Sequence, residues 1–368
     1  MHIKVTLKPI TLLLFFLSFM SFGQEGHTAA PSNQEPAVDK KTEIKEYIQH
    51  HLLDSYDFGL YSWETKEGEH KYFGFPLPVI LWDNGLKVFL SSKFHHGESV
   101  AEVGGNYYKV HHSKIYKVDG PDGEIIEDEH HHAMNEKPLD FSITKNVTMI
   151  FMVFAILFFM FSRMAKSYKT NKGMPKGMGR LLEPIVLYVR DEIAVPNIGE
   201  KHYKRYMSYL LTVFFFVWIV NLFGLTPIGM NLTNNIAVTF CLAIITYLIT
   251  TFSGNKNYWK HIFWMPGVPV PMKIILAPIE LLGTFIKPFA LMIRLYANIT
   301  AGHIVLMSII GMMFVFNNWL GSSLSFLLAF VLGILELLVA ALQAYIFTVL
   351  SALYFGMAVE EHHHDEAH

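Results

Sequence analysis

The chain has 368 residues, 52% of them hydrophobic and 16% charged, with a mean hydropathy of +0.32. That balance is too apolar and too poor in charge for an ordinary soluble domain and reads as a membrane protein. A formal net charge of -2, with no basic stretch interleaved with stacking aromatics, argues against a nucleic-acid partner. The single cysteine, Cys241, sits in an apolar run, which excludes an intrachain disulfide and a cysteine-based metal site.

Residues 1–23 place Lys4 and Lys8 before a short apolar run that ends in small residues, the pattern of a cleaved signal peptide, with an uncleaved anchor as the alternative. Residues 24–138 are then expected to be an exported, periplasmic domain, disordered at its start. TEIKEYIQHHLL spaces Ile44, Ile48 and Leu52 on one helix face. Beyond it, PLPVILW and LKVFLSS flank the turn signal Asp83-Asn84-Gly85, and NYYKVHHSKIYKV leads into the turn-forming DGPDG, so this part reads as small and mainly β. The pairs His95/His96 and His111/His112 and the run His130 to His132 suggest metal. Neighbours on a strand point to opposite faces, however, so no metal site is expected there or in the tail at 361–368.

Residues 139–360 form the membrane domain. A first spanning helix is expected over 143–161, followed by Arg163, Lys166, Lys169, Lys172, Lys176 and Arg180 with no acid among them, so this loop is cytoplasmic by the positive-inside rule. Residues 181–206 mix apolar and charged residues too closely to span and read as an interfacial amphipathic helix interrupted near Pro196. Helices over 208–225 and 234–252 make a hairpin. Asn221 and Thr246 within it either line a wet path or, as is commoner, bond inside the bundle. A final hairpin over 273–316 and 324–355 completes five crossings and leaves the carboxyl terminus cytoplasmic. The fold class is therefore an all-α polytopic membrane protein with a small, mainly β exported domain.

The final hairpin carries the chemistry. A charge at the centre of the hydrocarbon core costs about 2.5 to 3.5 kcal/mol, so it normally faces protein or a wet cavity. Yet the first of these helices holds Glu280, Lys287, Arg294 and His303, and Arg294 has long apolar flanks that prevent snorkelling. At about 1.5 Å per residue this run is roughly 65 Å long against a core of about 30 Å, so it must tilt, bend or break, with Pro278, Gly283 and Pro288 placed to help. Glu280, Lys287, Arg294 and Asn298 share one face within about 60°, while His303 lies about 180° from Arg294. Glu336 and Gln343 share a face of the last helix. A turn centred near residues 318–320 brings His303 level with Glu336 and Arg294 level with Gln343.

The stretches PFALMIRLYANITAGHIV and LELLVAALQAYIFTVLSALYFGMAVEEH closely resemble subunit a of F-type ATP synthases. The resemblance covers about half of the chain, roughly 184–362, and leaves the exported domain unexplained. It implies that Arg294 stands at the family's essential arginine and Gln343 at its glutamine, with Glu280 and Asn298 at further polar positions. Many members have an acid where His303 stands and a histidine where Glu336 stands, so the two types are exchanged here. It further implies a proton-translocating stator subunit of the cell inner membrane, working with an oligomeric c-ring and b subunits. Ion translocation would fall to Arg294, Glu280, Asn298, His303, Glu336 and Gln343. No cofactor is expected, and without a GxxxxGK[ST] pattern nucleotide chemistry belongs to partner subunits. The rival readings are a secondary transporter or channel, which would show internal repeats with paired broken helices, and an anchored binding protein, which needs no arginine at mid-depth.

Overall fold

Alternating apolar residues and turn-forming residues build the first half of the fold; long apolar runs build the second. A computed structural model describes residues 54–64, 70–97, 99–128, 133–171, 174, 176–226, 232–265, 268–315 and 319–360. The signal peptide, the helix expected over 42–53 and the tail at 361–368 lie outside the described residues.

The amino-terminal region is three small antiparallel sheets. β1 (Asp57–Glu64) pairs with β2 (His70–Pro76). β3 (Pro78–Trp82) pairs with β4 (Leu86–Leu90) through the expected turn, where Asn84 and Gly85 take φ of +51° and +136°. β5 (Ala101–Val103), β6 (Asn106–His111) and β7 (Lys114–Val118) form the third sheet, and β8 (Leu139–Asp140) returns to the free edge of β3. Val79, Leu81, Phe89, Phe94, Tyr108 and Ile115 close the core between them.

The stretch expected to stay extended through His111 and His112 instead reverses direction. His112 and Ser113 adopt φ of +45° and +59°, and Val110 pairs with Ile115. A positive φ suspends strand alternation at that point.

The β region is bolted to the first spanning helix, α1 (Lys145–Thr170). Lys145 N donates to Ser55 O (2.9 Å), Asn146 N to Asp54 Oδ1 (3.2 Å) and Ile143 N to Pro78 O (3.1 Å). Phe58 and Leu77 extend the same apolar cluster as Met149 and Val153, so no flexible linker separates the two regions.

After α1 comes α2 (Met178–Tyr188), which passes through a π-helical turn, Val189–Ala194, into α3 (Val195–Ile198). The interruption expected near Pro196 is therefore displaced to Gly199, at φ +89°. A proline ring clashes with the carbonyl four residues back, and the wider π turn directly upstream relieves that clash. Val189, Ile193 and Ala194 are fully buried, so this segment packs into the bundle rather than only skimming its surface.

The remaining helices are α4 (Tyr203–Gly224), α5 (Ile236–Ser253), α6 (Lys256–Phe263), α7 (Val270–Val315) and α8 (Trp319–Val359). Five of the described helices, α1, α4, α5, α7 and α8, are long and apolar enough to cross a membrane. α4 is the most enclosed, with Leu210, Val217 and Val220 at 0% exposure. The 46 residues of α7 form one unbroken helix despite Pro278 and Pro288. At about 1.5 Å per residue it measures about 69 Å, so it crosses a layer of about 30 Å only at a steep angle or on a curve. The carboxyl-terminal end of α8 is held where Gly356 lies against the Asn197 carbonyl, and where Asn255 N and Nδ2 donate to Ala358 O and Val359 O.

Candidate ion-translocation site

The site is built where α7 and α8 cross. Asn298 Nδ2 donates to Gln343 Oε1 at 3.1 Å, and Gln343 is 2% exposed, so the amide pair joins the helices at mid-length. One end of the contact is marked by Lys287 Nζ, 5.6 Å from the centre of the Tyr354 ring. The other is marked by Glu336, whose Oε1 would lie 3.0 Å from a Cβ placed on Gly302.

Gln343 therefore partners Asn298, about one helical turn beyond the Arg294 that residue counting places opposite it. The 17 residues of α7 between Asn298 and its end at Val315 correspond to 24 residues of α8 between Trp319 and Gln343. Counting assumes a turn centred near residues 318–320 with the two helices matched residue for residue, and the observed pair is shifted from that register. Glu336 does fall at the level of Gly302 and His303, as counting predicts. Its two carboxylate oxygens are shielded from solvent and make no hydrogen bond among the described residues, and the neighbouring His303 is 9% exposed.

Arg294 is different in kind. It is exposed on the outer face of α7, and among the described residues it forms no ion pair. Exposed apolar side chains occur along both helices, including Phe289 and Ile293 on α7 and Leu335 and Leu338 on α8. Among the described residues no anion accompanies this exposed cation.

Glu280 lies half-buried two turns before Lys287. Burial above all, then the charges of Tyr247 and Glu280, push the pKa of the Tyr258 hydroxyl on α6 above its ordinary value. From there a narrow cleft runs between α5, α6, α7 and α8, lined by Thr246, Thr250, Tyr258, Thr284, Lys287 and Tyr354. Thr250 and Thr284 tie their hydroxyls back to carbonyls of their own helices. Except for Thr246, the hydroxyl-bearing members of this cleft are not evident in the sequence. A threonine or tyrosine in an apolar run looks like ordinary filler until three other helices close around it.

Asn221 and Thr246 take the bundle-bonding role. Asn221 Nδ2 donates to Ala340 O at 3.4 Å and Asn221 Oδ1 accepts from Thr233, while Thr246 Oγ1 lies 2.7 Å from the Tyr209 hydroxyl. Thr246 also lines the cleft, so for it the two roles coexist.

Comparison with known proteins bears on both halves of the chain. A family model described as ATP synthase A chain matches residues 147–356, more than half of the chain, and residues 47–141 match a model described only as a domain of unknown function. The chain is 45% identical to ATP synthase subunit a of Chloroherpeton thalassium, over 62% of this chain and 70% of that protein. It is 39% identical to the Anaeromyxobacter protein of the same name, over 70% of this chain and 66% of the relative. With ATP synthase subunit a 2 of Prosthecochloris aestuarii it shares 37% identity over 81% of this chain and 96% of the relative. The crossed α7–α8 pair, the outward arginine and these matches lead to one conclusion: the chain belongs to the ATP synthase A chain family, the multi-pass, proton-translocating stator subunit of F-type ATP synthases.

Proposed function

We propose that Arg294 faces the carboxylates of a rotating c-ring and separates two offset half-channels. The observation that carries this reading is the arginine's position: mid-run, exposed in a long apolar helix, with no ion pair to an acid among the described residues. An arginine stays charged at any working pH, and a cation close to a carboxylate favours its ionised form. Each ring carboxylate reaching Arg294 releases its proton to the exit path, and the same cation blocks a direct leak between the paths.

His303 and Glu336 serve the exterior half-channel. The cleft from Glu280 and Tyr258 past Lys287 serves the cytoplasmic one. Asn298 and Gln343, bonded to each other, hold α7 and α8 together beside the exchange point. Because one charge gains only about 2.3 kcal/mol per 100 mV, several transfers must accumulate as rotation before an ATP is made. The c-ring covers the apolar wall around Arg294, b subunits complete the stator, and the subunit itself binds no nucleotide. The basic residues between Arg163 and Arg180 orient the chain in the cell inner membrane with its β region in the periplasm and its carboxyl terminus in the cytoplasm.

The test is Arg294→Ala in the whole complex, assayed in inverted vesicles. ATP-driven acidification is expected to vanish while the complex still assembles, and acidification at the wild-type rate would overturn the assignment.

A further inference from the structure

We infer that His111, His112 and Glu127 of the β region form a divalent-cation site suited to Zn²⁺. Their ligand atoms all lie within 4.8 Å of one another, and His111 Nε2 is 3.1 Å from Glu127 Oε1. Two ligands of a tetrahedral zinc with bonds of 2.0 to 2.1 Å are separated by about 3.3 Å, so this pair already has the required spacing. His111 Nε2 is shielded from solvent and, although so close to the carboxylate, makes no hydrogen bond among the described residues.

The second imidazole arrives through the turn. At φ +45° His112 leaves the strand alternation that would send it to the opposite face, and its ring comes to 4.1 Å from that of His111, inclined at 72°. Tyr116 packs edge-on against His111 from the other strand of the hairpin. The carboxylate comes from a segment with its own frame. Glu127 forms a β-bridge with Ala133, Met134 N donates to Ile126 O at 2.7 Å, and Lys117 N donates to Glu136 O at 2.9 Å. Two imidazoles and a carboxylate make a donor set that zinc accepts, leaving its fourth position to water. The ion would fasten the segment after β7 to the β6–β7 turn and so stabilise the β region.

The test is titration of the full-length chain in detergent with Zn²⁺ alone, alongside His112→Asn and Glu127→Gln. Asparagine tolerates the left-handed turn and glutamine keeps the shape of glutamate, so both variants should fold. The expected result is one bound zinc per chain, weakened at least tenfold in either variant, with X-ray absorption showing two imidazoles and oxygen ligands. Zinc should also raise amide-exchange protection in residues 119–128 of the wild-type chain but not of the variants. Wild-type affinity in both variants would overturn the assignment, as would loss of zinc only when His130 to His132 or His362 to His364 are replaced.

Discussion

Asp83 is 7% exposed and accepts hydrogen bonds from Tyr108 (2.8 Å) and Asn106 (2.9 Å), with Lys117 Nζ at 3.2 Å. The Tyr108 hydroxyl above all, then Lys117 and Lys87, hold its carboxyl below the usual range against burial, which pushes it up. A depressed native value stabilises the fold above the unfolded value of about 3.9, and that contribution is lost as pH falls through the native value. The protection of the amides in residues 106–118, relative to their intrinsic exchange rates, should therefore fall below about pH 4, and Asp83→Asn should flatten that dependence. Gly356 makes a steric demand instead. A Cβ there would sit 1.9 Å from the Asn197 carbonyl oxygen, and a backbone atom cannot swing aside. Gly356→Ala should cost about 1 to 3 kcal/mol or more, read as a lower melting temperature and a lower yield of assembled complex. Arg294 shows the reverse situation, since it is exposed and forms no ion pair among the described residues, and its replacement should act on coupling rather than on folding.

The α7–α8 crossing carries the predictions that no single residue can. With Cys241 replaced by Ser, cysteines at 298 and 343 should be joined by a short bifunctional thiol reagent, whereas cysteines at 294 and 343 should not. The opposite pattern would restore the register obtained by counting. Glu336 rests against Gly302 beside His303. His303→Glu should therefore lose proton pumping and regain part of it with Glu336→His; a double variant no better than the worse single one would disprove contact across the hairpin. α3 teaches a related lesson about packing. Proline is tolerated at position 196 because the preceding turn widens, and Gly199 ends the segment where Pro196 was expected to.

At the scale of the whole molecule, the β region and the bundle share one junction, sealed by backbone hydrogen bonds from residues 143–146 to residues 54–78. Orientation can be tested on intact cells and inverted vesicles. Trypsin added from the periplasm should cut within the β region and spare the loop carrying Lys166 to Lys176, and inverted vesicles should reverse that pattern. The bundle's outer faces on α7 and α8 are apolar, with Phe285, Ile286, Leu327, Leu328 and Leu342 exposed. Lipid covers such a surface without difficulty, but an unpaired guanidinium within it needs an anion, which the proposed ring supplies.

Much of this was legible in the amino-acid order. The five apolar runs, the β3–β4 turn at Asn84-Gly85 and the polar residues of the last two long helices follow from composition and periodicity, because transfer into lipid sums over neighbouring residues. The tertiary structure decided that Asn298 rather than Arg294 meets Gln343, that hydroxyls from four helices share a cleft, and that His112 turns back onto His111. Each of those outcomes depends on how two segments distant in sequence cross or reverse. Side-chain packing between them sets that geometry, and residue counting carries no information about a crossing angle or a positive φ.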